Sequence, residues 1–385
     1  MRFNRNYTLL CVIAFLQGFV FYGPIATIYR QSRGISIYEI FLIESIFMAL
    51  TILFEVPWGI FADRYGYKAT LIISLFIDFI SKIIFYNAHS FQMFLLERML
   101  LAVSVSGISG CDSALLFNSV GKGEYEKAYG RYYSLGVAGF LIAVSLSGFI
   151  VSVSMDLAAY LTIFPYGIAS TAALFLQEPK GSRDNAFNMF ESLKMAFANK
   201  KIFIFLFSIA LINESTHAIV TFLNQIQYQR SGIHIKYYGI ILVLVQLPAL
   251  AASKSYKLSR KFGHKKIILA MFGLIGVSSI GLINTSTPIL SVFFIAIINL
   301  SSAITGPISS DIQNNSIYAF NRATMLSIYA MIIDLVSAVV NLGIGKSAEI
   351  SIKHSFAACA VLSCLAIVIC LHYFKSEQDN KSLQN

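Results

Sequence analysis

Eight acidic residues, Glu44, Glu55, Asp78, Glu97, Asp112, Glu214, Asp311 and Asp334, stand inside apolar runs of this 385-residue sequence. A carboxylate in such a place can bind and release a proton, neutralise a buried base or hold a cationic ligand. Left charged near the centre of an apolar helix it costs roughly 2.5–3.5 kcal/mol, so it must face a cavity, find a partner or be protonated. Glu214, Asp78, Asp334 and Glu44 lie deep in their runs and are the candidates for proton coupling. Asp112 and Asp311 lie near run ends, with Glu55 close by, where a structural or gating role is expected. Asp78 and Lys82 are four residues apart and can pair within one helix, which would simply neutralise both. Glu97 and Arg98 are chain neighbours that point in different directions, so each needs a partner on another helix. Arg98 cannot shed its charge and suits an anionic group or a buried carboxylate.

Two rows of polar residues recur at helical spacing. Asn213, His217, Thr221 and Asn224 form one, with Glu214 beside them. Asn299, Ser302, Gly306, Ser309 and Gln313 form the other, with Pro307 expected to loosen or kink it. One face of each helix should meet water or a ligand, the alternative being polar contacts between packed helices. The six histidines, His89, His217, His234, His264, His354 and His372, form no H-E-x-x-H or comparable pair. Cys11, Cys111, Cys359, Cys364 and Cys370 all lie in apolar runs without a C-x-x-C pair and read as small packing residues. Neither a metal, a cofactor nor an enzymatic site is expected.

The elements that must carry these residues are transmembrane helices. Hydrophobic residues make up 57% of the chain and charged ones 12%, against roughly 25% charged in a soluble domain. Apolar runs of about 20 residues, each long enough to cross a bilayer, recur throughout. They predict spans over 7–29, 37–62, 69–86, 91–117, 132–153 and 157–176, then 202–227, 237–253, 267–283, 289–312, 323–345 and 356–374. The fold class is therefore an all-α integral membrane protein of 12 transmembrane helices. Its expected domains are a six-helix bundle over 1–176, a connector over 177–201, a second six-helix bundle over 202–374 and a tail over 375–385. In the connector Phe187, Phe190, Leu193 and Phe197 make an amphipathic face suited to the membrane surface. The start, Met1 to Arg5 before an apolar run, is signal-like but lacks a cleavage site, so an uncleaved first span is expected.

The net charge of +10 is a topology signal. With the amino terminus inside, about 21 Lys and Arg fall on one side and about 6 on the other, the excess expected of cytoplasmic loops. Both termini are accordingly expected in the cytoplasm, with the chain in the cell (inner) membrane as a multi-pass monomer. No basic stripe with interleaved aromatics stands outside the apolar runs, so nucleic acid is not an expected partner.

The loop after the second span reads Gly59-Ile60-Phe61-Ala62-Asp63-Arg64-Tyr65-Gly66-Tyr67-Lys68. Gly59 is small enough to let two helices approach, Gly66 permits a tight turn, and Asp63 with Arg64 sets a charge pair at the boundary. A weakened copy, Leu258 to Lys266, keeps Gly263 and the basic run but has Arg260 where the acidic residue would be. Asp63 and Arg260, like Asn118-Ser119 and Asn315-Ser316, are offset by 197 residues, which marks an internal duplication. The fourth span carries Glu97-Arg98 and then Ser109-Gly110-Cys111-Asp112-Ser113-Ala114-Leu115-Leu116.

The Gly59 loop closely resembles the signature loop of the major facilitator superfamily. The fourth span, taken with Glu55-Val56-Pro57-Trp58-Gly59, resembles a bacterial, exporter-like branch of it. The resemblance covers most of the first half and is looser in the second. It implies two pseudo-symmetric six-helix bundles and a latching role for Gly59, Asp63, Arg64, Gly66 and Lys68, with Arg260 and Gly263 as their counterparts. It also implies a substrate cavity lined by spans one, four, seven and ten, hence by Arg98 and the two polar rows. The fifth span departs from the proton-antiporter pattern, since Gly136, Gly139 and Gly148 occur there without a proline. The function implied is secondary transport by alternating access, with a small molecule and H+ as partners. Proton-coupled export of an amphiphilic or toxic compound, such as a drug or a peptide antibiotic in self-immunity, is the leading expectation. Uptake of a sugar, organic acid or peptide is the alternative, and a membrane-embedded enzyme a distant one.

Overall fold

In the computed structural model, residues 5–120, 124–179, 200–248, 255–317 and 322–384 are described; the amphipathic face over 187–197 lies outside them. Nine helices among the described residues are long and apolar enough to cross a membrane. The broken first span, the Met155–Ala173 helix and the eighth span, begun by Tyr238–Gln246, complete twelve.

Local sequence sets the helix ends. Ser36 and Glu39 form a reciprocal capping box at the start of the second span, Ile37–Tyr65. Ser90 caps the fourth span and Ser154 the sixth. Gly66 joins the second span to the third at φ +92°, and Gly263 opens the ninth at φ +80°. These two glycines share the 197-residue offset, so the duplication is visible in the backbone.

Among the described residues, three predicted spans are interrupted. The first divides into Arg5–Gln17 and Ala26–Ser32, with Gly18, Gly23 and Pro24 between. Gly18 lies so close to the fifth span that a Cβ would overlap the Gly136 carbonyl, and one on Gly139 would overlap that of Phe15. The fourth divides at Gly110, φ +77°, into Phe91–Ile108 and Cys111–Val120. The seventh is α-helical over Lys200–His217, a π-helix over Ala218–Leu223, and α-helical again over Asn224–Arg230. The twelfth helix, Ile352–Gln384, continues through the segment predicted as a tail.

The chain forms two compact units. The first comprises Met1–Glu39, Ile46–Asn185 and Ile235–Val243. Its core joins spans one, three, four and six through Tyr7, Leu10, Leu71, Leu115 and Ala173. Gly148 of the fifth span meets the backbone of Lys236, and Gly239 that of Val144, which seats the Ile235–Val243 segment. The second unit comprises Ile40–Ser45, Ala186–His234 and Leu244–Asn385. Phe205, Phe272 and Phe356 are fully enclosed in it. Asn341 donates to the Phe41 carbonyl at 2.8 Å and to Ser45 Oγ at 2.9 Å, which fixes the Ile40–Ser45 segment there.

Candidate functional site

The seventh span is 72% buried over its apolar window, more than any of the other eight long spans. Its accessible side chains include Asn213, His217 and Thr221, which lie on one face. A helix packed on nearly every side that keeps polar groups on its open face is built to meet water or solute. Asn224 is buried and leaves that face. The π-turn accounts for this difference from the expected row, because one extra residue rotates the next turns of the helix by about 100° round the axis. The Asn224 side chain instead accepts from the Gln225 N–H at 2.8 Å.

Glu214 is enclosed, 2% accessible, and lies 3.7 Å from His217 Nδ1. His217 thus stands between the open face and the hidden carboxylate. Glu44, carried into this unit by the Ile40–Ser45 segment, and Asp334 of the eleventh span both act electrostatically on Glu214. Glu44 is buried, whereas Asp334 is exposed near the middle of its helix. Three of the four predicted proton-coupling acids therefore gather in the second unit.

Asp78, the fourth, belongs to the first unit and is fully engaged. Its carboxylate lies 3.1 Å from Lys82 Nζ and accepts from Gln17 Nε2 at 3.1 Å, and Lys82 rests over the Tyr166 ring at 4.7 Å. This is the neutralised intrahelical pair. Glu97 and Arg98 diverge as their spacing requires. Glu97 pairs with Arg30 of the first span at 3.6 Å, with Arg30 between the rings of Phe85 and Phe94. Arg98 is half-buried with its guanidinium over Phe47 at 5.1 Å.

The row on the tenth span, Pro288–Asn315, separates into two kinds of residue. Ser302 is half-buried, and Gly306 is exposed with open space where a Cβ would point. Asn299 donates to the Val245 carbonyl at 3.0 Å, and Gln313 donates to buried Ser309 at 2.9 Å. These three thus have hydrogen-bond partners within the unit, and the helix is continuous across Pro307.

At the signature loop, Gly59 is exposed and nothing described lies within 4 Å of a Cβ built on it, so the expected helix approach there is corrected. Asp63 and Arg64 are exposed, Arg64 lying over the Tyr65 ring. Gly66 has a reason beyond the turn. Glu178 accepts from the backbone N–H groups of Tyr67 and Lys68 at 3.0 and 2.7 Å, capping the third span. A Cβ on Gly66 would come within 2.5 Å of that carboxyl group. Asp63, Asp112 and Glu178 all act electrostatically on Cys111, so three acids share this end, with Asp112 held by Tyr132 at 2.7 Å. In the copy, Arg260 lies over Tyr256, and an acid comes from the tenth span, Asp311 lying 3.7 Å from His264. Sequence reading missed Gln17, Arg30, Glu178 and Asn341. Each acts on a partner distant along the chain, and only the duplication offset that maps Gln17 onto Glu214 hinted at one of them.

The sequence profile of the Major Facilitator Superfamily matches residues 8–341. The uncharacterized MFS-type transporter YxaM of Bacillus subtilis (strain 168) is 25% identical over 196 residues, 47% of this chain and 48% of that protein. The quinolone resistance protein NorA of Staphylococcus aureus (strain MRSA252) is 22% identical over 183 residues, 47% of each chain. These matches span about half the length of each curated relative. Among solved structures, the D323A mutant of the nucleoside transporter NupG superposes with a TM-score of 0.81 at 15% identity, covering 96% of this chain and 99% of that one. A D-xylose–proton symporter superposes at 0.75 with 12% identity, covering 96% and 97%. Twelve spans, a duplicated signature loop, a profile match over most of the chain and a shared fold lead to one statement: this chain belongs to the major facilitator superfamily of membrane transporters.

Proposed function

We propose that the chain is a proton-coupled exporter of a small amphiphilic compound with hydrogen-bonding or cationic character, working by alternating access in the cell membrane. The observation that carries this reading is the pairing of His217, on the open face of the seventh span, with enclosed Glu214 at 3.7 Å, beside Glu44 and Asp334. A proton and a cationic ligand are alternative ways to neutralise a carboxylate held out of water. Occupancy by one then excludes the other, which is the exchange an antiporter needs. His217 would pass protons between the open face and Glu214, while Asn213, Thr221, Ser302 and Gly306 would border the ligand. The export direction is supported by the relative named for quinolone resistance.

Uptake by symport is the second reading, favoured by the likeness to a nucleoside transporter and a D-xylose–proton symporter. A panel of toxic compounds, tested on cells with and without the protein and again after collapse of the proton gradient, separates the two. Export predicts resistance to particular compounds that vanishes with the gradient and in Glu214→Gln. Net accumulation of a compound inside energised cells would contradict it.

A further inference from the structure

An apolar groove of about 930 Å³ opens on the first unit where spans one, three and six meet. Leu9, Ile72, Phe76, Phe164, Ile168 and Phe175 form most of its wall, and the last four of these are at least half exposed. Its polar content is slight, and the Thr171 hydroxyl is already spent on the Gly167 carbonyl at 2.8 Å. Such a wall offers no grip to a polar solute and suits a hydrocarbon chain.

The end of the groove is charged. Arg5 and Lys68 each stand four residues before a wall residue, Leu9 and Ile72, and so lie one turn beyond them on the same helix faces. Of the three acids at this end, Glu178 is committed to the backbone N–H groups of Tyr67 and Lys68 and Asp112 accepts from Tyr132, while Asp63 is exposed beside Arg64.

The second unit repeats this only in part. A groove of about 490 Å³ is lined by Phe203, Ile204, Phe207, Val368, Ile369 and His372. Under the 197-residue offset Thr171, Ala172 and Phe175 fall on Val368, Ile369 and His372, and Lys68 falls on Lys265. Leu9 and Ile72 fall on Leu206 and Leu269, which do not line this groove, so only the twelfth-span wall corresponds. The larger groove, apolar along its wall and with Arg5 and Lys68 one turn beyond it, matches a ligand with one long apolar part and one anionic head.

We propose that the groove on the first unit is a site for anionic phospholipid: an acyl chain lies in the groove, and the phosphate is held by Arg5 and Lys68. Each Lys or Arg near an anionic lipid surface strengthens association, so the head group decides which lipid stays while the groove decides that a lipid binds.

The test uses the full-length chain, purified in mild detergent and stripped of lipid, then offered phosphatidylglycerol or phosphatidylcholine with identical oleoyl chains. Retention is read by native mass spectrometry. The native chain should retain phosphatidylglycerol in preference, and joint Arg5→Gln and Lys68→Gln should lower that preference roughly tenfold. Joint Arg5→Lys and Lys68→Arg should keep it, which separates lost charge from lost folding. Thr171→Trp, which fills the larger groove with its charges intact, should lower retention of both lipids. Equal retention of the two lipids by the native chain would overturn the proposal, as would a glutamine variant that keeps the native preference. Full competition by glycerol phosphate, which has no acyl chain, would overturn the role of the groove.

Discussion

Glu214 and Asp78 are alike in the sequence, each an acid deep in an apolar run, and opposite in the structure. Asp78 is locked to Lys82 and Gln17, whereas Glu214 has a histidine that reaches an open face. Asp78→Asn should strand a buried ammonium and destabilise the protein by about 3 kcal/mol, read as a lowered unfolding temperature in detergent. A further Lys82→Met should recover much of that loss, and failure to do so would mean that the pair is not what holds these spans. Glu214→Gln should leave the unfolding temperature nearly unchanged while abolishing gradient-dependent transport. At Gly66 the positive φ and the Glu178 carboxyl group both oppose a side chain. Gly66→Ala should cost about 1–3 kcal/mol because of its backbone conformation, read as a lowered unfolding temperature in detergent. Depth and spacing were legible in the sequence at this scale. The division of Glu97 from Arg98 and the pairing of Asp78 with Lys82 came from those alone. The difference between Asp78 and Glu214 did not, because it depends on Gln17, 61 residues away along the chain.

Helices were legible wherever hydropathy was continuous, and less so where the backbone departs from regularity. A strict 3.6-residue period places Asn224 on the open face of the seventh span, and the π-turn over Ala218–Leu223 turns it inward. No residue type in Ala218–Leu223 announces such a turn. The break in the first span has plainer causes in Pro24 and in the contact of Gly18 with the fifth span. Glycine content alone did not say which glycine admits a neighbour. Gly139→Ala should force the Phe15 carbonyl away and cost about 1–3 kcal/mol, while Gly59→Ala should be tolerated, since open space surrounds it. Unfolding temperatures of the two variants check this directly, and equal effects would contradict the packing described for the first and fifth spans.

At the scale of the molecule, the 197-residue offset proved to be a structural period. It relates Gly66 to Gly263 in conformation and Lys68 to Lys265 in position. The compact units keep to that period except for two short exchanges, Ile40–Ser45 and Ile235–Val243. A cut made by hydropathy runs along the chain and cannot detect pieces that cross it. The first exchange bears on the proposed site, because it brings Glu44 to Glu214. Transport through this site requires that the polar face of the seventh span meet water within the membrane. Single cysteines at Asn213, His217 and Thr221, in a chain freed of its five native cysteines, can be exposed to a water-soluble thiol reagent in lipid vesicles. Cysteines at Val277 and Val361, exposed apolar positions of the ninth and twelfth spans, serve as the comparison. The expected result is that the three on the seventh span are labelled and the two comparison sites are not. Labelling of Val277→Cys and Val361→Cys with none at Asn213→Cys, His217→Cys and Thr221→Cys would contradict it.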